Sequence, residues 1–262
     1  MVEDVLGWAD GWSEASLGLE HAFEHAVSRW NVEVVQLLLA RFNYSPLCIN
    51  VCLCRAADFK SPLPPYNRAE RGGLDYVNQQ QLISCLVDVL LEKGADPNRR
   101  DAARETALHY LGSPAHSIDR RGPKWCLHET GIRLLLQHGA SVTIRDELGN
   151  TPLHYAAFGS NLHIFSLYTT ALPVDSLHGN VLESIKNDSG EALLHWAAAG
   201  KKIDILWFLL SSGADVHVAN DNGWSPLTCA LHSPVSCNSD EYLCAALLQN
   251  TASGKNSPRS LS

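Results

Sequence analysis

Three stretches of the chain place apolar residues three and four positions apart: LVDVLL from Leu86, IRLLL from Ile132 and IDILWFLL from Ile203. That spacing puts the apolar side chains on one stripe of a helix. The runs stop at Gly94, Gly139 and Gly213, where glycine suits the left-handed residue that closes a helix. A shorter apolar segment, opened by a polar turn, precedes each of these runs or follows the last. These segments read RETALHYLG from Arg104, GNTPLHYAAFG from Gly149, GEALLHWAAAG from Gly190 and GWSPLTCALHS from Gly223. The pattern predicts pairs of short helices joined by polar turns, and no alternation of period two argues for a sheet.

The starts at residues 106, 151, 192 and 225 are spaced by 45, 41 and 33 positions. Turn, TPLH-like start, Leu-rich helix and GAD-like stop recur in fixed order. In this the chain resembles the ankyrin repeats, whose period is about 33 residues; Asn187 to Ala219 is the best copy. Two weaker copies precede these four. HAFEHAVSRWNVEVVQLLLARF (21–42) has the two-helix pattern without the TPLH letters, and VCLCRAADF (51–59) reads as a first helix whose partner is QQQLISCLVDVLLEKG (79–94). The resemblance implies an all-α ankyrin-repeat solenoid of about six helix-turn-helix units, irregular over 17–98 and clearer over 99–250. One unit cannot bury its own apolar face, so the units stack around a continuous core. First helices are then expected on a concave face, with the turns projecting as fingers.

Three insertions break the period: KSPLPPYNRAERGGLDYV (60–77), GSPAHSIDRRGPK (112–124) and PVDSLHGNVLESIK (173–186). Pro, Gly and charge mark them as loops, which in a compact domain are either functional or tolerated excursions. Pro62 and Pro65 form a PxxP, but Lys60 and Arg68 miss the spacing of its usual flanking base, and PPY at 64–66 lacks the residue a PPxY ligand needs before Tyr66. A Pro-stiffened loop is the plainer reading. Residues 1–16, with Trp8 and Trp12, are expected to cap the first unit, and 251–262 to form a disordered tail.

Composition narrows the function classes. Acids outnumber bases 28 to 20, a formal net charge of −8, and Arg99-Arg100 and Arg120-Arg121 are only pairs. That argues against nucleic acid or an anionic membrane as the partner. No run approaches the roughly 18 apolar residues of a membrane span and no leader pattern opens the chain, so an intracellular protein, cytoplasmic or nuclear, is expected. Eight cysteines, among them Cys85, Cys126, Cys229 and Cys244, lie in apolar stretches as small buried hydrophobes do.

Candidate chemistry is sparse. Cys48, Cys52 and Cys54 lack the paired spacing and second cluster of a zinc site, and no GxSxG, GxGxxG or P-loop occurs. Asp240-Glu241 falls at an expected helix start, where acids favour the helix dipole. No metal, cofactor or catalytic residue is expected, and the chain reads as non-enzymatic. His109, His154 and His195 recur with the period, which marks a structural role. By the resemblance, Thr151 and His154 hydrogen-bond to neighbouring turns.

The same resemblance puts variable, exposed positions at the finger tips and on the open side of the first helices. These are Glu147, Leu148, Asn150 and Phe158; Asp188, Ser189 and Glu191; and Asp221, Asn222 and Trp224. Trp224 and Phe158 are anchors for a protein partner, unless Trp224 packs on Tyr155 or Trp196 within the stack. The surrounding acids favour a basic partner segment. The leading expectation is an adaptor that binds another protein through fingers, concave face and loops. The alternatives are a regulatory or substrate-recruiting subunit of a larger enzyme assembly, and an enzyme or small-molecule binder with a pocket built at an insertion. The oligomeric state stays open.

Overall fold

The computed structural model describes residues 17–58, 76–112, 129–172, 181–233 and 240–252. Outside them lie the expected cap, most of the first two insertions, residues 173–180 of the third, the tail from 253, and Pro62, Pro65 and Cys126. The described residues form helices α1 (Leu17–Ser28), α2 (Val32–Arg41), α3 (Pro46–Ala57), α4 (Tyr76–Glu92), α5 (Ala107–Gly112), α6 (Glu129–Gln137), α7 (Pro152–Gly159), α8 (Leu162–Thr170), α9 (Val181–Ser184), α10 (Leu193–Ala199), α11 (Ile203–Ser211), α12 (Pro226–His232) and α13 (Asp240–Ala252). Apart from the four-residue α9, these are six helix pairs, the number the repeat predicts. Among the described residues there is no strand, only a single antiparallel bridge between Lys186 and Ala192.

The pairs stack in two layers. First helices pack in the order α1–α3–α5–α7–α10–α12, and second helices as α2–α4–α6 and α8–α11–α13. The core runs between the layers. Leu53, Leu108, Leu153 and Leu193 of the first helices are buried, and so are Leu90, Leu135, Phe165 and Leu209 of the second. Each such side chain contributes roughly 1.5–3 kcal/mol of burial, and every unit draws it from its neighbours.

Local sequence explains the helix ends. Gly94, Gly139 and Gly213 have φ of 86°, 84° and 97°. The next residues, Ala95, Ala140 and Ala214, donate their N–H back to the carbonyls of Leu90, Leu135 and Leu209 at 3.0, 2.9 and 3.1 Å, closing the helices in the expected way. Asn31 and Asn161 cap α2 and α8 by accepting the N–H of Val34 and Ile164. One expectation needs correcting. The first helix of the second unit begins not near residue 51 but at Pro46, because Ser45 accepts the Cys48 N–H at 3.2 Å and proline fills the first helical position.

Neighbouring first helices approach closely at Gly200, which follows α10: a Cβ there would lie 2.1 Å from the Phe158 carbonyl oxygen of α7. Backbone touches backbone there, so only glycine fits.

Candidate functional site

Four turns project between the helix pairs, around residues 101–104, 146–149, 187–190 and 220–223; they are the first to fourth fingers below. Each begins with an Asx residue five places before the TPLH-like start: Asp101, Asp146, Asn187 and Asn220. The Oδ1 of each accepts two backbone N–H groups of its own finger. For Asp146 these are Leu148 and Asn150, both at 2.8 Å; for Asn187, Ser189 at 3.0 Å and Glu191 at 2.9 Å. Asp101 and Asn220 repeat the arrangement with Ala103 and Glu105, and with Asn222 and Trp224. Successive fingers are then tied by backbone bonds: Glu147 N–H to the Ala103 carbonyl, Asp188 to Leu148 and Asp221 to Ser189, at 3.2, 3.1 and 3.0 Å. This recurrence was readable in the sequence as an Asx at fixed distance from each motif, and motif reading alone passed over it.

Beneath the fingers lie the histidines. His154 is fully buried; its Nδ1 accepts the Thr151 N–H at 3.1 Å, so the ring proton sits on Nε2, which donates to the Glu191 carbonyl of the next unit at 3.2 Å. Imidazole thus fills the place of the Glu or Gln of a capping box. His109 repeats this with Thr106 and the Asn150 carbonyl, and His195 with Ala192 and the Trp224 carbonyl. Burial pushes the His154 pKa down to about 4 and lowers those of His109 and His195, so all three act as neutral linkers. His154 makes the expected bond to a neighbouring turn, whereas Thr151 bonds His154 within its own unit.

The residue after each histidine carries a ring whose polar atom returns to a finger base. Tyr155 Oη lies 2.8 Å from Asp146 and 2.9 Å from Glu105, Trp196 Nε1 donates to Glu191 at 3.0 Å, and Tyr110 Oη bonds Asp101. Burial would raise the Asp146 carboxyl, but hydrogen bonds from Asn150, Tyr155 and Leu148 hold it below the usual range.

The ten residues expected at the surface divide between tip and base. Glu147, Asp188, Ser189, Asp221 and Asn222 are exposed on the tips, and Leu148 is 68% exposed. Trp224 is 43% exposed, and its ring neighbour is His232 at 5.3 Å rather than Tyr155 or Trp196. Asn150 is not a surface residue: it is 2% exposed, with its Nδ2 on Asp146 and its Oδ1 accepting from Asn187. Glu191 is half-buried, its carboxylate taken by Trp196 and Asn187. Phe158 is half-buried with its ring edge-on to Trp196 at 6.1 Å. Asn150 and Glu191, immediately before their motifs, lie under the finger, where backbone donors must be satisfied, whereas Trp224 at the same position of the last unit stays exposed.

Of the cysteines expected to be buried in apolar stretches, Cys229 and Cys244 are buried, but Cys85 is exposed. Cys48, Cys52 and Cys54 are buried on α3, and among the described residues no group of His, Cys, Asp or Glu could hold a metal ion. Nor is any described helix long and apolar enough to cross a membrane.

Comparison with known proteins places this architecture. The family model for ankyrin repeats in many copies matches residues 128–167 and 194–233. The chain carries ankyrin repeats. Similar curated proteins include Neurogenic locus notch homolog protein 1 of Danio rerio, 27% identical over 186 residues, 60% of this chain and 7% of that protein. The NF-kappa-B inhibitor cactus of Drosophila melanogaster is 33% identical over 158 residues, 58% of this chain and 25% of that protein. The RelA-associated inhibitor of Mus musculus is 41% identical over 66 residues, 25% of this chain and 7% of that protein. The chain thus spans only a fraction of the length of the relatives it matches. The ankyrin stack accounts for the buried half of the finger site, and the exposed tips are what it leaves over.

Proposed function

We propose that the chain is a non-enzymatic module that binds another protein through its fingers and the adjoining first-helix layer. The observation that carries this reading is the division of each finger. Its base is consumed by hydrogen bonds within the stack, whereas Leu148 and Trp224 stand exposed on a backbone that neighbouring fingers hold in place. Apolar side chains on a pre-ordered backbone lose little entropy when a partner covers them. The names of two similar proteins speak of a RelA-associated inhibitor and an NF-kappa-B inhibitor, which supports a protein as the class of partner. Affinity capture from an extract of the source cells, with wild type beside Leu148→Ala/Trp224→Ala, tests it. The variant is expected to lose partners that wild type retains; identical partner sets would show the face to be wrong.

A further inference from the structure

Exposed charge is not spread evenly over the four fingers. The first carries Arg99, Arg100 and Arg104, all exposed, with Asp96 as its one exposed acid. None of the three arginines is in an ion pair with a described residue. In the middle, Arg145 of the second finger closes onto Asp188 of the third at 2.6 Å, and the remaining exposed charges there, Glu147 and Lys186, are of opposite sign, so the middle of the face carries no net charge. The fourth finger exposes Asp215 and Asp221 and has no lysine or arginine. The face runs from positive to negative along the stack, a pattern that the formal charge of −8 hides.

Arg104 adds an independent observation. It occupies the turn position held in the other fingers by Gly149, Gly190 and Gly223, and like them its N–H bonds the Asx carbonyl three residues back. Its φ is 60°, beside 76°, 71° and 76° for the glycines. That left-handed backbone suits glycine and is strained for a long side chain. An arginine kept in a strained, exposed position points to work for its side chain. A guanidinium there, beside two more, is suited to carboxylates.

We infer that the finger face holds one partner segment lengthwise, acidic where it crosses Arg99, Arg100 and Arg104, apolar over Leu148, and basic where it crosses Asp215 and Asp221. This rests on the proposal that the fingers bind protein, and it confines the expected basic partner residues to the fourth finger. The ordered reversal of charge fixes the direction in which a segment lies, because the opposite orientation sets like charges face to face.

The test uses two synthetic peptides of about 20 residues and identical composition. One has an acidic block, an apolar centre and a basic block; the other alternates its charges. Fluorescence anisotropy at low salt is expected to give the block peptide at least tenfold tighter binding to the full chain. Arg99→Glu/Arg100→Glu/Arg104→Glu and Asp215→Lys/Asp221→Lys should each weaken it about tenfold, circular dichroism confirming that both variants fold. A photo-crosslinker on the acidic end should mark residues 99–104, and one on the basic end residues 215–224. Equal affinity for both peptides, no binding of the block peptide, or crosslinks unrelated to the blocks would overturn the inference. If both peptides bind equally and both are lost in Leu148→Ala/Trp224→Ala, charge order fails while the finger-binding proposal survives.

Discussion

The two ends of the stack join their units by different chemistry in the same slots. From the third unit onward, each junction uses a buried histidine that donates to the carbonyl just before the next motif, at 3.0–3.3 Å. Between the second and third units that slot holds Cys54, whose thiol points to the equivalent Glu105 carbonyl at 4.0 Å and to Arg99 O at 3.5 Å. Between the first and second it holds Glu24, paired with Arg55 at 3.2 Å. Imidazole satisfies one group on each side at once, a thiol is a weak donor, and a part-exposed ion pair is screened by water. The fold therefore fixes where a junction is made and leaves its strength to the residue placed there. Coupling between units is expected to rise from the N-terminal end toward the histidine-linked ones.

The largest effect that would break this comparison is His154→Ala. It strands the Thr151 N–H and the Glu191 carbonyl and opens a cavity, costing roughly 3–4 kcal/mol, whereas Cys54→Ala removes a weak donor and little volume, costing about 1 kcal/mol. Urea denaturation of both variants measures this. Equal losses would show that the slot, and not the imidazole, sets the coupling.

Acid is expected to act on the histidine-linked junctions, and alkali on buried thiols elsewhere in the stack. His154 binds its proton near pH 6.5 when unfolded but only near 4 when folded. Its contribution is complete above about pH 6.5 and is lost as pH falls toward 4, with a span on the order of 3 kcal/mol. Burial pushes the Cys54 thiol up to about 12 from 9.0, so its contribution is present below pH 9 and is lost as pH rises. Hydrogen exchange resolved by segment should show acid loosening α7 and α10 first, and alkali loosening α3 and also α12, where burial pushes the Cys229 thiol up to about 11. The same order of opening at both extremes would remove the distinction.

The sequence carried the pairing of helices, their count and the role of His154, because these depend on spacing and on letters that recur. It concealed Cys54 and Glu24 because they share position and not chemistry with histidine. LCRAAD beside LHYAAF is the one signal that aligns Cys54 with His154. The surface was less legible than the stack. Asn150 reads as a polar turn residue, yet it is buried because backbone and carboxylate groups under the finger need its amide. Arg104 stands in the sequence where the aligned segments have glycine, but only its φ shows that it takes the same left-handed backbone.

The smallest effect belongs to the first junction. Glu24→Gln keeps the shape of the side chain and removes its charge, leaving Arg55, half-exposed, to be solvated. The pair is worth about 0.5 kcal/mol at low salt and less at high salt, so variant and wild type should converge as salt is raised toward 1 M. The rest of that junction is apolar burial of Phe23, Val27, Leu53 and Ala56, the Trp30 Nε1–H bond to the Ala56 carbonyl at 3.3 Å and the Ser45 hydroxyl bond to Glu20 at 2.8 Å, none of which the substitution touches. A loss above about 2 kcal/mol that salt does not diminish would place Glu24 among the strong linkers. The graded rise in coupling would then fail at its first junction.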